Sequence, residues 1–147
     1  MNGQLILGTA MIVVTIIFHV AGLVYLASLL KRIGPSLESM DAKVSTMSLL
    51  TVSVLIIVGI HTAEAWGWAT LFLYLGEFAE LNRALYFSVV TSTTLGYGDI
   101  VLSERWQLLG TFEAMGGLIL FGASTAFLLA LMRGLFEEIP AGTRSDT

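Results

Sequence analysis

TSTTLGYGDI, the ten residues from Thr91 to Ile100, decides the fold of this chain. The stretch starts at the end of an apolar segment of residues 81–94 and leads into a longer apolar segment of residues 106–132. The first segment would extend only about 20 Å as a helix, which is too short to cross a membrane. Non-helical backbone at membrane depth is tolerated only where it is buried in protein or lines water. The ten residues therefore predict a re-entrant loop that lines an aqueous path.

Composition places the chain in a lipid bilayer. Apolar residues make up 56% of its 147 residues, charged residues make up 12%, and the mean hydropathy is +0.85. A soluble domain carries about twice that charged fraction. Three apolar stretches, residues 5–30, 47–75 and 106–132, are each long enough to cross a hydrocarbon core of about 30 Å. We therefore predict an all-α membrane protein with three transmembrane helices, a re-entrant pore helix over about residues 83–93, and the loop that follows it.

The positions of the basic residues predict how the chain is oriented. Five of them lie between the first two spans or after the third, and two flank the re-entrant segment; they are Lys31, Arg32, Lys43, Arg133 and Arg144, and then Arg83 and Arg105. Because basic residues concentrate in cytoplasmic loops, we expect the N-terminus and residues 76–105 outside, and the first loop and the C-terminal tail in the cytoplasm. Neither of the first two spans contains lysine or arginine, which excludes a voltage sensor built on basic residues there.

Other classes of function receive little support. The chain has no cysteine, which excludes thiolate metal sites and iron–sulfur clusters, and it has no basic run that would bind nucleic acid. No nucleophile–base pair or metal motif occurs outside the spans, so we expect neither an enzyme nor an organic cofactor. We divide the chain into an N-terminal transmembrane helix with a cytoplasmic linker (1–46), a pore domain (47–133) and a short cytoplasmic tail (134–147). The linker is expected to form a turn with a short helix over residues 31–45.

The glycines of the loop allow its carbonyl groups to converge. Rings of backbone carbonyls, together with a threonine hydroxyl, replace the hydration shell of an ion in selectivity filters. To aim successive carbonyls at one axis the backbone alternates between right- and left-handed conformations, and Gly96 and Gly98 adopt positive φ at little steric cost. Leu95 and Tyr97 then point away from the axis and pack against surrounding helices, while Thr94 supplies the innermost hydroxyl. Since one loop cannot surround an ion, four copies of the chain are required.

Residues 84–99, ALYFSVVTSTTLGYGD, resemble the pore helix and selectivity filter of the potassium channel family without a gap. The whole arrangement is similar to that of small bacterial two-helix pores that carry an extra N-terminal transmembrane helix. The resemblance implies a homotetramer in the bacterial inner membrane that conducts K⁺ passively. Its filter residues would be Thr94, Leu95, Gly96, Tyr97 and Gly98, with K⁺ at the first four. Two alternatives stay open, a weakly selective cation channel and a non-conducting membrane interaction or structural protein that retains the pore fold.

Some positions in and behind the filter depart from the family's pattern. Leu95 replaces the usual valine, and Tyr86 and Phe87 stand where many members have a tryptophan pair. Val90 stands where some bacterial members place a glutamate that pairs with the residue matching Asp99, and valine cannot form that pair. A hydrogen bond from Tyr86 to Asp99 is one alternative. We take Asp99, Tyr86, Phe87 and Val90 as filter-support residues, and we do not expect gating by a carboxyl pair.

Charged and titratable groups inside the spans need a partner or a role, because a charge there costs about 2.5–3.5 kcal/mol on insertion scales. Glu113, in the third span, either lines the upper cavity or braces the pore helix in place of the carboxylate missing at Val90, and we expect the bracing role. His19, His61 and Glu64 predict a polar cluster that joins the first two spans, either titrating with pH or serving as a packing contact. We do not expect a zinc site there, since the side chains come from separate helices.

Three glycines of the third span, Gly116, Gly117 and Gly122, resemble the hinge glycines of the family's inner helix. They support two interpretations. One is a gating hinge, and the other is close helix packing through small residues, which is common in membranes. Both interpretations stay open at the level of the sequence.

Overall fold

The computed structural model describes the backbone of residues 2–37 and 41–137, so that residues 138–147 of the predicted tail lie outside the described residues. Within these ranges the chain forms four α-helices and no strand: α1 at Asn2–Leu37, α2 at Ala42–Tyr74, α3 at Leu81–Ser92 and α4 at Gln107–Glu137. α1, α2 and α4 are each long and apolar enough to cross a membrane, whereas α3 has only 12 residues. The prediction of an all-α membrane protein with three transmembrane helices and one short helix before the loop is confirmed.

The helix ends between the first two spans differ from the prediction. α1 continues to Leu37 with Pro35 inside its last turn, and α2 begins directly after Asp41. Proline has no N–H and its ring clashes with the carbonyl four residues earlier, but only two residues of α1 follow Pro35, so the disruption is confined to the end of the helix. Asp41 starts α2, because its side chain accepts a hydrogen bond from the Lys43 N–H at 2.9 Å. Most of the stretch expected to form a turn with a short helix thus belongs to the two long helices.

α1 packs against both other transmembrane helices at two glycines. A Cβ on Gly8 would lie 2.6 Å from the ring of Phe112 in α4, and a Cβ on Gly22 would lie 2.6 Å from the Ile60 side chain in α2. The Gln4 side chain also accepts a hydrogen bond, at 3.2 Å, from the backbone at the start of α4. Close approach through small residues is the usual way in which transmembrane helices associate, since lipid supplies no hydrophobic drive. α1 is therefore an integral part of the bundle.

α3 is held between α2 and α4 by an aromatic core. Phe87 of α3 lies edge-on to Phe72 of α2, with ring centroids 5.3 Å apart and an interplanar angle of 83°. Trp68 of α2 and Leu109 of α4 complete this core, and all four side chains are buried. Edge-to-face pairs are favoured because the positive ring edge meets the negative ring face. The core fixes the short helix, and with it the loop that follows.

Candidate functional site

In the loop after α3, residues with positive φ alternate with residues that do not have positive φ. Thr94, Gly96 and Gly98 have φ angles of 59°, 56° and 75°, whereas the residues between them do not have positive φ. Alternation of this kind turns successive carbonyl groups toward the same side of the chain. The sequence anticipates positive φ at the two glycines but not at Thr94, where it is unusual for a β-branched residue. A residue held there costs about 1–3 kcal/mol, so neighbouring contacts must keep the loop in place.

The last turn of α3 supplies those contacts. The carbonyl oxygen of Val90 accepts hydrogen bonds from the N–H groups of Leu95 and Gly96, at 3.0 and 3.2 Å. The carbonyl oxygen of Thr91 accepts one from the Thr94 N–H at 2.9 Å. Three consecutive residues of the loop are thereby tied to the helix end. Val90 supports the loop through its backbone, so this contact does not depend on a carboxylate at that position.

The side chains of Leu95 and Tyr97 do not pack on the helices of their own chain. They are 55% and 66% exposed, although the sequence predicts that they pack against surrounding helices. An open hollow of about 490 Å³ lies beside the loop, between the end of α3, the two loop glycines and the first turns of α4. Within one chain, the loop therefore has two exposed side chains, Leu95 and Tyr97, and an open hollow beside it.

Tyr86 and Asp99 join α3 to the far end of the loop. The Tyr86 hydroxyl donates a hydrogen bond to Asp99 Oδ2 at 2.8 Å, which is the alternative contact considered from the sequence. This hydrogen bond, and after it desolvation and the charge of Asp99, raises the pKa of Tyr86 above its ordinary value. Phe87 instead lies in the aromatic core. The two neighbours therefore hold α3 in different ways, one by a hydrogen bond and the other by packing.

A second brace of the loop is not signalled by the sequence. Glu77, in the turn after α2, accepts hydrogen bonds from the N–H and the hydroxyl of Ser103, both at 2.7 Å. The two residues are 26 positions apart, in segments without helical periodicity, so no pattern pairs them. Hydrogen bonds to a carboxylate are about twice as strong as neutral ones. The pair links the chain before α3 to the chain after the loop.

Glu113 lies inside the bundle behind α3. Its side chain is fully buried, and its Oε1 is hydrogen-bonded to the hydroxyl of Ser88 in α3. The same hydroxyl lies 2.8 Å from the carbonyl oxygen of Ala65 in α2. Oε2 has no hydrogen-bond partner among the described residues. The carboxyl group thus links α4 to α3 through Ser88, a residue not anticipated from the sequence.

The three glycines of α4 have different surroundings. A Cβ on Gly117 would lie 2.1 Å from the carbonyl oxygen of Ser92, at the C-terminal end of α3. A Cβ on Gly116 would make ordinary contact with Ile12 at 3.5 Å, and a Cβ on Gly122 would meet nothing within 4 Å. α4 runs through all three positions as one helix. The geometry at Gly117 favours the packing interpretation, because only glycine allows α4 to come this close to the loop.

His19, His61 and Glu64 come together in the bundle, and one ligand atom from each lies within 4.8 Å of the others. His19 Nδ1 is 2.9 Å from Glu64 Oε1, and His61 Nδ1 is 3.0 Å from Glu64 Oε2. The Nε2 atoms of both histidines lie 3.1 Å from the hydroxyl oxygen of Ser124, which is not anticipated from the sequence. These four side chains, here called the polar ring, connect α1, α2 and α4, and all but His61 are buried.

Two comparisons with known proteins match the part of the chain that contains these sites. The sequence model of a family described as ion channel matches residues 58–134, from the second half of α2 through most of α4. The voltage-gated potassium channel Kch of Escherichia coli (strain K12) is 38% identical over an alignment of 77 residues, and the match covers 48% of this chain and 18% of that protein. The chain thus spans less than a fifth of the length of this relative. No solved structure matches the chain.

Proposed function

This chain belongs to the ion channel family, and from that premise we propose that it is one subunit of a homotetrameric channel that passes K⁺ selectively and passively. The observation that carries the proposal is the alternating backbone of residues 94–98, set at the end of a short helix between two transmembrane helices. Rings of carbonyls on such a backbone take the place of the water around K⁺. The filter comprises Thr94, Leu95, Gly96, Tyr97 and Gly98, with K⁺ held at the first four.

The charges around the loop favour a cation. An α-helix carries about half a negative charge at its C-terminal end, and α3 ends at Ser92, directly before the filter. Asp99 adds a carboxylate at the other end of the filter, and no basic residue occurs between Ser92 and Arg105. An ion in the filter therefore lies between two regions of negative potential, while the carbonyls between them supply the selectivity.

Three further copies of the chain complete the filter in this proposal. Leu95 and Tyr97 are mostly exposed in the single chain, and the hollow of about 490 Å³ beside the loop is open. A fourfold arrangement brings a neighbouring subunit to the loop, so these side chains gain helices to pack against. The packing partners predicted for Leu95 and Tyr97 would thus belong to the adjacent subunit.

Glu113 supports the filter in this proposal by holding the pore helix. The hydroxyl of Ser88 has one hydrogen, but it lies within hydrogen-bond distance of two acceptors, the Ala65 carbonyl oxygen and Glu113 Oε1. Both contacts are hydrogen bonds only if Ser88 donates to Ala65 and the carboxyl group donates to Ser88. We therefore assign Glu113 a protonated, donating role, in which a neutral group replaces a buried charge.

The domain division and the orientation belong to the same proposal. We assign residues 47–133 to the pore domain and residues 1–46 to an N-terminal part outside the family match; the tail assigned to residues 134–147 begins in the last turn of α4. The charge distribution supports an N-terminus and filter mouth outside, with the linker between α1 and α2 and the tail in the cytoplasm. The bacterial relative supports placement in a bacterial inner membrane.

Ion flux into liposomes tests the function. The full chain is reconstituted, and rubidium uptake is compared with sodium uptake and with uptake under barium block. We expect a barium-sensitive rubidium flux and a much slower sodium flux. Gly96→Ala, which places a Cβ on a residue at φ 56°, should abolish the flux. Gly134→Ala is the matched control, because nothing lies within 4 Å of the added Cβ.

Each alternative function has its own outcome in this assay. Equal rubidium and sodium rates identify a weakly selective cation channel. Assembled tetramers without any flux identify a non-conducting membrane protein that retains the pore fold. A monomeric or dimeric mass for the conducting species in detergent contradicts the requirement for four subunits.

A further inference from the structure

The polar ring is a closed cycle of four hydrogen-bond distances among three transmembrane helices. The two oxygens of Glu64 each face the Nδ1 atom of one histidine, and the hydroxyl of Ser124 faces the Nε2 atoms of both. The four separations lie between 2.9 and 3.1 Å. α1 contributes His19, α4 contributes Ser124, and α2 contributes the other two members. The ring therefore ties the first and last helices of the chain to the second.

The ring needs one more hydrogen than its members supply when both histidines are neutral and Glu64 is ionised. Four hydrogen bonds require four hydrogens. Two neutral imidazoles supply one each and the Ser124 hydroxyl supplies one, whereas the Glu64 carboxylate supplies none. With three hydrogens, Ser124 donates to one histidine, and the other Nε2 faces the oxygen with no hydrogen between them. A fourth hydrogen, bound as a proton, completes the cycle.

The balance of charge leads to the same count. With three hydrogens the ring carries the single negative charge of Glu64, which is costly inside a membrane. With a fourth hydrogen the ring is neutral, because an imidazolium offsets the carboxylate. No neighbouring element supplies a positive charge instead: α1 has no charged residue from Asn2 to Leu30, α3 presents the uncharged Ser92, and the titratable group of α4 that faces the ring is Glu113. The positive charge must therefore come from within the ring.

We propose that the polar ring is a proton-binding site through which pH regulates the channel, an inference that rests on the proposed function. A proton supplies the missing hydrogen and the missing positive charge together, so the occupancy of the site changes with the proton concentration. With the proton bound, His19 and His61 both hold Ser124. Without it, one of these hydrogen bonds is lost, and α4 is held less firmly against α1 and α2.

Two features connect the polar ring to the end of α3, directly before the filter. Ser124 lies seven residues after Gly117 and thus on the same face of α4, and Gly117 touches Ser92 at the end of α3. A cavity of about 20 Å³ separates the ring from Glu113, and Ser92 and Gly117 also line it. This volume is enough for one water molecule, which needs roughly 10–15 Å³. A shift of α4 at Ser124 therefore reaches both the carboxyl brace and the base of the filter.

The regulatory part is tested by rubidium flux in the same liposomes at about pH 5 and about pH 8. We expect the initial rates to differ by about tenfold, which is the change in equilibrium that one hydrogen bond to a charged group produces. Ser124→Ala should remove this difference. Ser53→Ala should retain it, because Ser53 is an equally buried serine whose hydroxyl bonds the Leu49 carbonyl of its own helix at 2.7 Å.

The outcomes separate failure of regulation from failure of the function. A rubidium flux with equal rates at both pH values overturns the proposal and leaves the channel function standing. A pH difference that persists in Ser124→Ala also overturns it, and a difference that disappears in the presence of a chelator assigns the ring to a metal ion instead of a proton. Absence of flux at every pH contradicts the channel function, and the ring is then tested without flux.

Nuclear magnetic resonance of the imidazole nitrogens provides that second test. The chain contains only two histidines, so the signals belong to His19 and His61 alone. At high pH both rings should carry their hydrogen on Nδ1, facing Glu64. On acidification both signals should change in one common step, because a single proton is shared across Ser124. Two independent steps, or hydrogens on Nε2 at high pH, contradict the proton count.

Discussion

Alanine at Gly117 would place a methyl group against the backbone of the pore helix. The added Cβ would lie 2.1 Å from the Ser92 carbonyl oxygen and 2.8 Å from its carbonyl carbon. Carbon atoms in contact lie about 3.5–4.0 Å apart, so α4 must retreat from α3 by roughly 1 Å. Overpacking costs about 1–3 kcal/mol, and the upper end applies because a backbone carbonyl cannot rotate away. Alanine regains about 1 kcal/mol of helix preference, which leaves a loss of about 2 kcal/mol per chain.

Thermal unfolding of the detergent-solubilised protein measures this loss, and the ratio of rubidium to sodium flux reports on the proposed filter. Gly117→Ala should lower both the unfolding free energy and the flux ratio. Gly116→Ala and Gly122→Ala are controls with an ordinary contact and with open space, and each should be neutral or stabilising by up to about 1 kcal/mol. A hinge would give the opposite pattern, with altered gating in Gly122→Ala and full stability in Gly117→Ala. Wild-type stability in Gly117→Ala would show that packing at Ser92 does not explain this glycine.

Three further changes test other contacts. Glu113→Gln keeps a hydrogen-bond donor toward α3 and should lose at most about 1 kcal/mol of unfolding free energy, whereas Glu113→Ala should lose about 2–3 kcal/mol; equal losses in thermal unfolding would rule out the donor role. The Tyr86 phenol should ionise at a lower pH in Asp99→Asn than in wild type, measured by ultraviolet absorbance against Tyr86→Phe, and identical curves would count against the hydrogen bond. Because folding raises this pKa, the contribution to stability is present at neutral pH and is lost as the pH rises through the folded value. Gly8→Ala should loosen α1 and speed its proteolysis in detergent, whereas Gly3→Ala, with open space around it, should not.

The sequence predicts most of the architecture, because the physical signals involved are local. Three apolar segments of spanning length give the transmembrane helices, and a shorter one gives α3. The Thr-Leu-Gly-Tyr-Gly run places the loop and its two positive-φ glycines. The end of α1 is predicted less well, since Pro35 at the last turn disturbs the helix too little to stop it.

Contacts between helices are harder to predict, because hydropathy does not fix how each helix is rotated about its axis. Nothing in the sequence distinguishes Ser124 from the neighbouring Thr125. Thr125 donates to the carbonyl of Phe121 in its own helix, as small polar residues in spans commonly do, whereas Ser124 contacts histidines of two other helices. Ser88 is likewise one of several hydroxyl residues in α3. Its role depends on the register between that helix and its two neighbours. Thr94 adopts positive φ because the end of α3 holds it, which no rule about threonine anticipates.

The contacts between α1 and α4 have a consequence for biosynthesis. Chains are made from the N-terminus, so α1 enters the membrane before α4. α1 can pair with α2 early, through Gly22 and through His19 with Glu64, but the contacts of Gly8 and Gln4 exist only after α4 arrives. Until α4 arrives, the Nε2 atoms of His19 and His61 have no Ser124 hydroxyl to bond. The contacts between α1 and α4 thus give the cell one interface by which a finished chain differs from a nascent one.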